Sequence, residues 1–328
     1  MTAALLIGRR DVERLLTPEL CLAAVEHSFR LLGEGKVPAP AILAMHAGAG
    51  SFHVKAGMLT TDRPYFAAKL NANFPENGSR GLPTIQGAVI LSDASNGTPL
   101  AIMDSISITA LRTAAASAVA AKYLARKNWS TLAICGCGGQ AEAQLLALYA
   151  VGRPDRVMVY DLDRDRAAAF ADALTRATGI TLKVAGKVEE CFAHADVVVT
   201  CTTSKHYFVT REMIRPGTFI AAVGADHEHK QEIQPELLAA AKVVTDITVQ
   251  AAAIGDLHHA LAAGVMSAGD VHAQLGEIVC GARPGRASNE DVFVFDSTGT
   301  GLQDVAAAIA VYERAASEKH RHLLTLSE

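Results

Sequence analysis

Aromatic side chains are scarce in this chain, 5% of 328 residues with a single tryptophan, while half of the residues are apolar and many are alanine. That balance suits helices packed on a parallel sheet better than a β-sandwich. Basic charge is not in excess either: the formal net charge is −4 and the lysines and arginines are scattered, so nucleic acid is not an expected partner. No apolar run reaches the roughly 18 to 20 residues that span a bilayer. Arg9, Arg10 and Asp11 follow a very short apolar start, which does not read as a signal peptide, and no membrane association is expected. The six cysteines are dispersed, and Cys135 and Cys137 share one glycine-rich turn, which argues against a disulfide or zinc framework and for a reduced, cytoplasmic protein. Internal repeats and low-complexity linkers are also missing.

What is present is a chain longer than one core usually supports, so two domains are expected. Thr17 can cap a helix that has Pro18 in its first turn, an apolar face of Leu22, Val25, Phe29 and Leu32, and an end at Gly33. From Val37 to Ala101 short apolar runs broken by turns (51–55, 65–70 and 87–92) predict strands of a first sheet. The stretch Asp104 to Ala125 has neither Gly nor Pro and predicts a helix that carries the chain onward. Strands near 131–135, 156–161, 195–201, 217–223, 242–246 and 292–296 then alternate with helical segments, the pattern of a doubly wound parallel sheet. A last helix runs from Leu302 to Ser317 and is placed back on the first domain.

One turn carries specific chemistry. Cys135-Gly136-Cys137-Gly138-Gly139-Gln140-Ala141 joins the apolar run 131–134 to a helical segment. Gly136 and Gly138 let backbone approach a pyrophosphate, and Ala141 lets the helix pack close. A second apolar strand, 156–160, ends in Asp161, where a carboxylate accepts hydrogen bonds from ribose hydroxyls and repels a 2′-phosphate. The turn therefore reads as a dinucleotide site that prefers NAD(H), with Arg164 and Arg166 close enough to soften the preference.

Residues just past strand ends face a dinucleotide bound in such a fold. They include Thr200-Cys201-Thr202-Thr203-Ser204, Val223-Gly224-Ala225-Asp226 and Asp296-Ser297-Thr298-Gly299, although each could also be an ordinary turn or helix cap. Hydride transfer needs a cation to hold the substrate and a group that moves a proton; Lys69, Arg112 and Asp226 are candidates. Taken alone, Lys69 could be a solvated lysine and Arg112 a structural ion pair. His227, His229, His258 and His259 match no established zinc spacing, so no metal is expected.

Together, Lys69, the segment 74–86, Arg112-Thr113-Ala114-Ala115, the Gly136 to Ala141 turn, Val223 to Asp226 and Phe295 to Gly299 resemble the ornithine cyclodeaminase/mu-crystallin family, over about residues 33–308. The resemblance implies a homodimer. It implies a substrate and dimerisation domain of α+β type at 1–112 and 302–328, and a Rossmann NAD-binding domain at 113–301. Lys69 and Arg112 would hold the substrate α-carboxylate and Asp226 would be the acid/base at the α-nitrogen. The cofactor would be lined by Thr84, Arg112, Gly139, Gln140, Asp161, Thr202, Val223, Lys230 and Ser297.

This chain departs from the family pattern at one place. Members that process ornithine carry an arginine in a proline-containing segment that here reads Val37-Pro38-Ala39-Pro40-Ala41-Ile42, with no cation. Lys55, in Phe52-His53-Val54-Lys55, could replace it or bind a second acidic group. The expected activity is NADH-dependent reduction of a small α-imino acid to the L-amino acid, with an iminosuccinate-like compound or a cyclic ketimine such as Δ1-pyrroline-2-carboxylate as substrate. Two alternatives are redox-neutral cyclodeamination of ornithine or lysine with catalytic NAD, and a crystallin-type protein that binds dinucleotide without turnover.

Overall fold

The structure, a computed structural model, describes residues 2–327. The chain starts with strand β1 (Thr2–Ile7) and helix α1 (Arg9–Leu15), both short and unmarked by strong sequence signals. Helix α2 (Pro18–Gly33) starts where the capping pattern predicts: Thr17 Oγ1 accepts from Leu20 N at 3.3 Å, and Pro18 stands in the first turn. Its buried residues, Cys21, Val25, Ser28 and Phe29, recur at helical spacing, whereas Leu22 and Leu32 are only half-buried. Strands β2 (Ala41–Ala47), β3 (Gly50–Thr60), β4 (Pro64–Asn73), β5 (Ile85–Asp93) and β6 (Pro99–Asp104) follow as an antiparallel meander.

Helix α3 (Ser105–Leu124) comes next, and the chain divides within it into two compact units, one of residues 1–112 with 300–328 and one of 113–299. The second unit contains β7 (Thr131–Cys135), α4 (Ala141–Gly152), β8 (Arg156–Tyr160), α5 (Arg164–Thr178), β9 (Leu182–Val184), α6 (Val188–Phe192), β10 (Val197–Thr200) and β11 (Phe219–Ala222). It continues with α7 (Pro235–Ala240), β12 (Lys242–Thr245), α8 (Thr248–Ile254), α9 (Asp256–Ala262), β13 (Ala273–Gln274), α10 (Leu275–Val279) and β14 (Phe293–Asp296). The strands pair in parallel in the order β13-β12-β14-β11-β10-β7-β8-β9. The chain leaves β7 toward β8 and β9, then returns to β10 on the other side of β7. That reversal makes a crevice at the carboxyl ends of β7 and β10, where ligands bind in such sheets. Strands β10, β11 and β14 are buried along their whole length, which explains their unbroken apolar sequences.

The chain returns to the first unit with α11 (Gly301–Ser317) and β15 (Leu323–Ser327). The sheet there has the order β15-β1-β6-β5-β4-β3-β2, and α11 packs on β3, β4, β5 and α2. Strand alternation sorts the sheet into two faces. Lys55, Leu59, Tyr65, Ala67, Lys69, Val89 and Leu91 are buried on the face that α11 covers. Their sequence neighbours Phe52, Met58, Phe66, Leu70 and Ile90 are exposed on the other. Among the described residues no helix is long and apolar enough to cross a membrane, and all six cysteines are free.

Candidate active site

In the second unit the glycine turn leaves β7 at the switch point. Gly136 has φ +96°, its N–H donates to Tyr160 O at 2.9 Å, and a Cβ there would stand 2.9 Å from Cys201 O. Only glycine meets both the positive φ and this close approach of β10. Around Gly138 and Gly139 a Cβ would meet nothing within 4 Å, so the turn is open on one side. Gln140, the N-cap of α4, makes no side-chain cap; Ala141 N donates to Gly138 O at 3.1 Å, which leaves the Glu142 and Ala143 N–H groups of the first turn for an anion. Gln140 Oε1 and Ser297 Oγ are buried without a protein partner. An open glycine turn, an uncapped helix start and orphaned polar atoms fit a dinucleotide held by phosphate and by groups with donors and acceptors.

Asp161 is held from below by its own neighbours. Its Oδ2 accepts from Cys137 N at 2.8 Å and its Oδ1 from Asp163 N at 2.9 Å. Arg166 lies 3.6 Å from Asp161 and 3.3 Å from Asp163, so the nearest cation is already paired with two acids. Thr202 Oγ1 is bonded to Glu232 at 2.7 Å, and Val223 N donates to Thr200 O. Asp226 is half exposed and pairs with Lys230 Nζ at 2.6 Å, a contact that orients this carboxyl group.

In the first unit a buried charge cluster forms on the face of the sheet beneath α11. Lys55 and Lys69 stand directly opposite each other in the β3–β4 register. Asp304, in the first turn of α11, places Oδ1 2.8 Å from Lys69 Nζ and 2.9 Å from Arg112 Nε; all three residues are at most 4% exposed. The Lys69 contact is a hydrogen bond, whereas the Arg112 N–H is not aimed at the oxygen and that contact is an ion pair. Arg112 Nη1 donates to Gln303 Oε1 at 2.7 Å, and Lys69 Nζ to Thr109 Oγ1 at 3.1 Å.

Burial lowers the Lys69 pKa to about 7, aided by Arg112 and Lys55, against the opposing pull of Asp304. Burial alone would raise Asp304, yet Lys69 and Arg112 hold it below the usual carboxylate range. Three basic side chains thus surround one carboxylate. Asp304 Oδ2, Gln303 Nε2 and Asn71 Oδ1 are buried without partners. Such a cluster suits a small ligand that brings a carboxylate and further polar groups.

Of the residues singled out from the sequence, Lys55, Lys69 and Arg112 meet in this cluster, and Thr84, at the start of β5, lies exposed in the same unit. Gly136, Gly138, Gly139, Gln140, Asp161, Thr202, Val223, Gly224, Asp226, Lys230 and Ser297 lie in the second unit, in the turns that follow its strands or close beyond them. Sequence reasoning missed Asp304, Gln303 and Glu232. The signal for Asp304 was faint: one acid inside the otherwise small and apolar run that follows Gly301.

Comparisons with known proteins show the family of the chain. The profile of the ornithine cyclodeaminase/mu-crystallin family matches residues 3–319. An archaeal alanine dehydrogenase dimer with bound NAD superposes with a TM-score of 0.94 at 38% identity, covering 99% of this chain and 100% of that one. The Δ1-pyrroline-2-carboxylate reductase of Thermococcus litoralis, in complex with NADH and L-proline, gives a TM-score of 0.92 at 33% identity over 98% of this chain and 100% of that one. The iminosuccinate reductase of Paracoccus denitrificans, in complex with NAD+, gives 0.90 at 32% identity over 99% and 100%. The chain belongs to the ornithine cyclodeaminase/mu-crystallin family.

Proposed function

We propose that this protein is an NADH-dependent imine reductase that converts a small α-imino acid into the L-α-amino acid, with the reverse dehydrogenation as its back reaction. The observation that carries this reading is the buried Lys55–Lys69–Arg112 cluster around Asp304, in a chain that also holds an open dinucleotide turn. NADH supplies a hydride to the α-carbon, the C=N electron pair moves to nitrogen, and nitrogen takes a proton. Lys69 and Arg112 hold the α-carboxylate and orient the reacting carbon. Asp226 acts as the acid/base at the α-nitrogen. Gly136, Gly138, Gly139 and Gln140 hold the pyrophosphate, and Asp161 takes the adenosine ribose hydroxyls, favouring NADH over NADPH.

Lys55 is the second cation on the covered face, and a substrate with a second acidic group, such as iminosuccinate, is the reading we favour over a cyclic ketimine. The protein works as a homodimer in a reducing cytoplasm. The support for a dimer is the bare face of the first sheet, where Phe52, Met58, Phe66, Leu70 and Ile90 are exposed together, and such a patch marks a contact surface. The deciding assay follows NADH oxidation with oxo acid plus ammonia mixtures and with preformed cyclic imines. Reduction of an imino acid supports the proposal. Ammonia release from ornithine or lysine without net NADH change would overturn it, as would no turnover of any imino acid.

A further inference from the structure

Glu232 is fully buried, lies outside every strand, and belongs to no motif of the dinucleotide turn. Its carboxylate nevertheless receives four hydrogen bonds from two separate loops. Oε1 accepts from Thr202 N and Thr202 Oγ1, each at 2.7 Å. Oε2 accepts from Thr200 Oγ1 at 2.7 Å and from Gly224 N at 2.8 Å. The first three donors belong to the end of β10 and the loop beyond it, the fourth to the loop after β11. Glu232 thus clasps the two strand exits beside the switch point.

The clasp is itself anchored. Glu232 O accepts from Phe208 N and Val209 N, and Asp256 Oδ1 accepts from Glu232 N at 2.8 Å and from Ile233 N at 2.9 Å. Asp256 N in turn reaches Asp296 Oδ1 at 3.3 Å, at the end of β14. Gly224 is a glycine for the same reason: a Cβ there would stand 2.5 Å from the Glu232 carboxyl carbon and 2.5 Å from Thr202 O. On the other side, a Cβ on Gly136 would meet Cys201 O at 2.9 Å and Thr202 Cγ2 at 3.0 Å. The loop that Glu232 grips is therefore the loop against which the glycine turn is packed.

We infer that Glu232 is a positioning residue for the dinucleotide: by gripping the Thr202 and Gly224 loops at once it sets the walls of the crevice into which the cofactor enters. This rests on the reading that the cofactor occupies the Gly136 to Gln140 turn. The chemistry requires a carboxylate and not its amide. Hydroxyls can turn to become acceptors, but the N–H groups of Thr202 and Gly224 cannot. A glutamine at 232 would point its NH2 at one backbone N–H or the other, whichever way it is flipped. One buried donor would face a second donor, which moves one loop.

The test is Glu232→Gln, with NADH binding measured by fluorescence titration in the absence of substrate, and steady-state kinetics alongside. The NADH dissociation constant and KM should rise by roughly tenfold or more, the effect of one buried N–H left unpaired. The imino acid KM and the kcat at saturating NADH should stay within about threefold, a split that general loss of structure would not produce. Unchanged NADH affinity, or a loss confined to kcat, would overturn the inference. If circular dichroism shows that Glu232→Gln does not fold, Thr200→Val, at a fully buried clasp donor outside the cofactor lining, replaces it. That variant removes one of the four donors while keeping the shape, and NADH affinity should fall by about threefold. No change in that variant would equally refute the clasp. The parent reading fails separately: wild-type protein that binds no NADH at all overturns the cofactor site, whereas wild-type binding with an unaffected Glu232→Gln overturns only the role of Glu232.

Discussion

Asp304→Asn removes one charge from the buried cluster with almost no change in shape. In the native protein Oδ1 faces Lys69 Nζ at 2.8 Å and Arg112 Nε at 2.9 Å, with no water-exposed route for either cation to relax. Breaking a buried pair by removing one partner costs about 3–5 kcal/mol, since the remaining charge is left uncompensated. Asparagine keeps one acceptor, so the lower end, about 3 kcal/mol, is expected. That is a large part of a typical stability of about 5–15 kcal/mol. The loss also acts on Lys69, because Asp304 is what holds the Lys69 pKa up toward about 7. Without it the Lys69 pKa falls further, less of the protonated form is present at pH 7, and as much as the whole charge-assisted bond to a substrate carboxylate, worth about 1.5–3 kcal/mol, is lost. The imino acid KM should then rise by roughly 10- to 150-fold.

The pH dependence has a definite sign. The folded-state pKa of Lys69 is depressed below its ordinary value. Below pH of about 7 both folded and unfolded chains carry the proton and the cost of the buried charge is present in full. As pH rises from about 7 toward 10.5, the folded state sheds its proton first and that cost is relieved. The destabilisation caused by Asp304→Asn should therefore be larger at pH 6.5 than at pH 9, where Lys69 no longer needs the carboxylate. Urea unfolding followed by circular dichroism at both values, with KM measured between pH 6 and 9, tests this. A variant within about 1 kcal/mol of wild type at pH 6.5, with unchanged KM, would refute the role given to Asp304.

Three further outcomes are expected. Asp161→Ser should shift the NADPH-to-NADH ratio of kcat/KM toward NADPH by about tenfold or more, since a carboxylate no longer faces the 2′-phosphate; an unchanged ratio would remove Asp161 from the ribose site. Lys55→Ala should raise KM for a dicarboxylic imine such as iminosuccinate by about tenfold or more while affecting a cyclic ketimine less, and an equal effect on both would refute the specificity reading. Phe66→Glu with Ile90→Glu, both on the exposed sheet face, should shift the protein from dimer to monomer in light scattering. A dimer that survives the pair of charges places the interface elsewhere.

The doubly wound sheet was legible because its strands are buried on both faces and read as apolar runs, and because the glycine turn sits directly after one of them. Helix α2 was legible from Thr17 and Pro18, residues that act within one turn. Strand β1 was not, since a six-residue apolar start becomes a strand only by pairing with β6 and β15. Short β9 and β13 were also missed, being three and two residues of ladder with little pattern of their own.

The sequence by itself determined the parallel α/β class and the glycine turn, and it singled out Lys69, Arg112 and Asp226 as candidates for chemistry, because these rest on local spacing and on motifs in order. Only the tertiary structure decided which of them share a charge environment. Asp304 lies 235 residues from Lys69, and Glu232 30 residues from Thr202, yet each closes a buried polar network. Such partners leave no periodic trace in a sequence. A lone acid in an apolar helix looks like a solvated residue until the fold buries it, and burial without water is what turns a carboxylate into the residue that sets its neighbours' positions and charges.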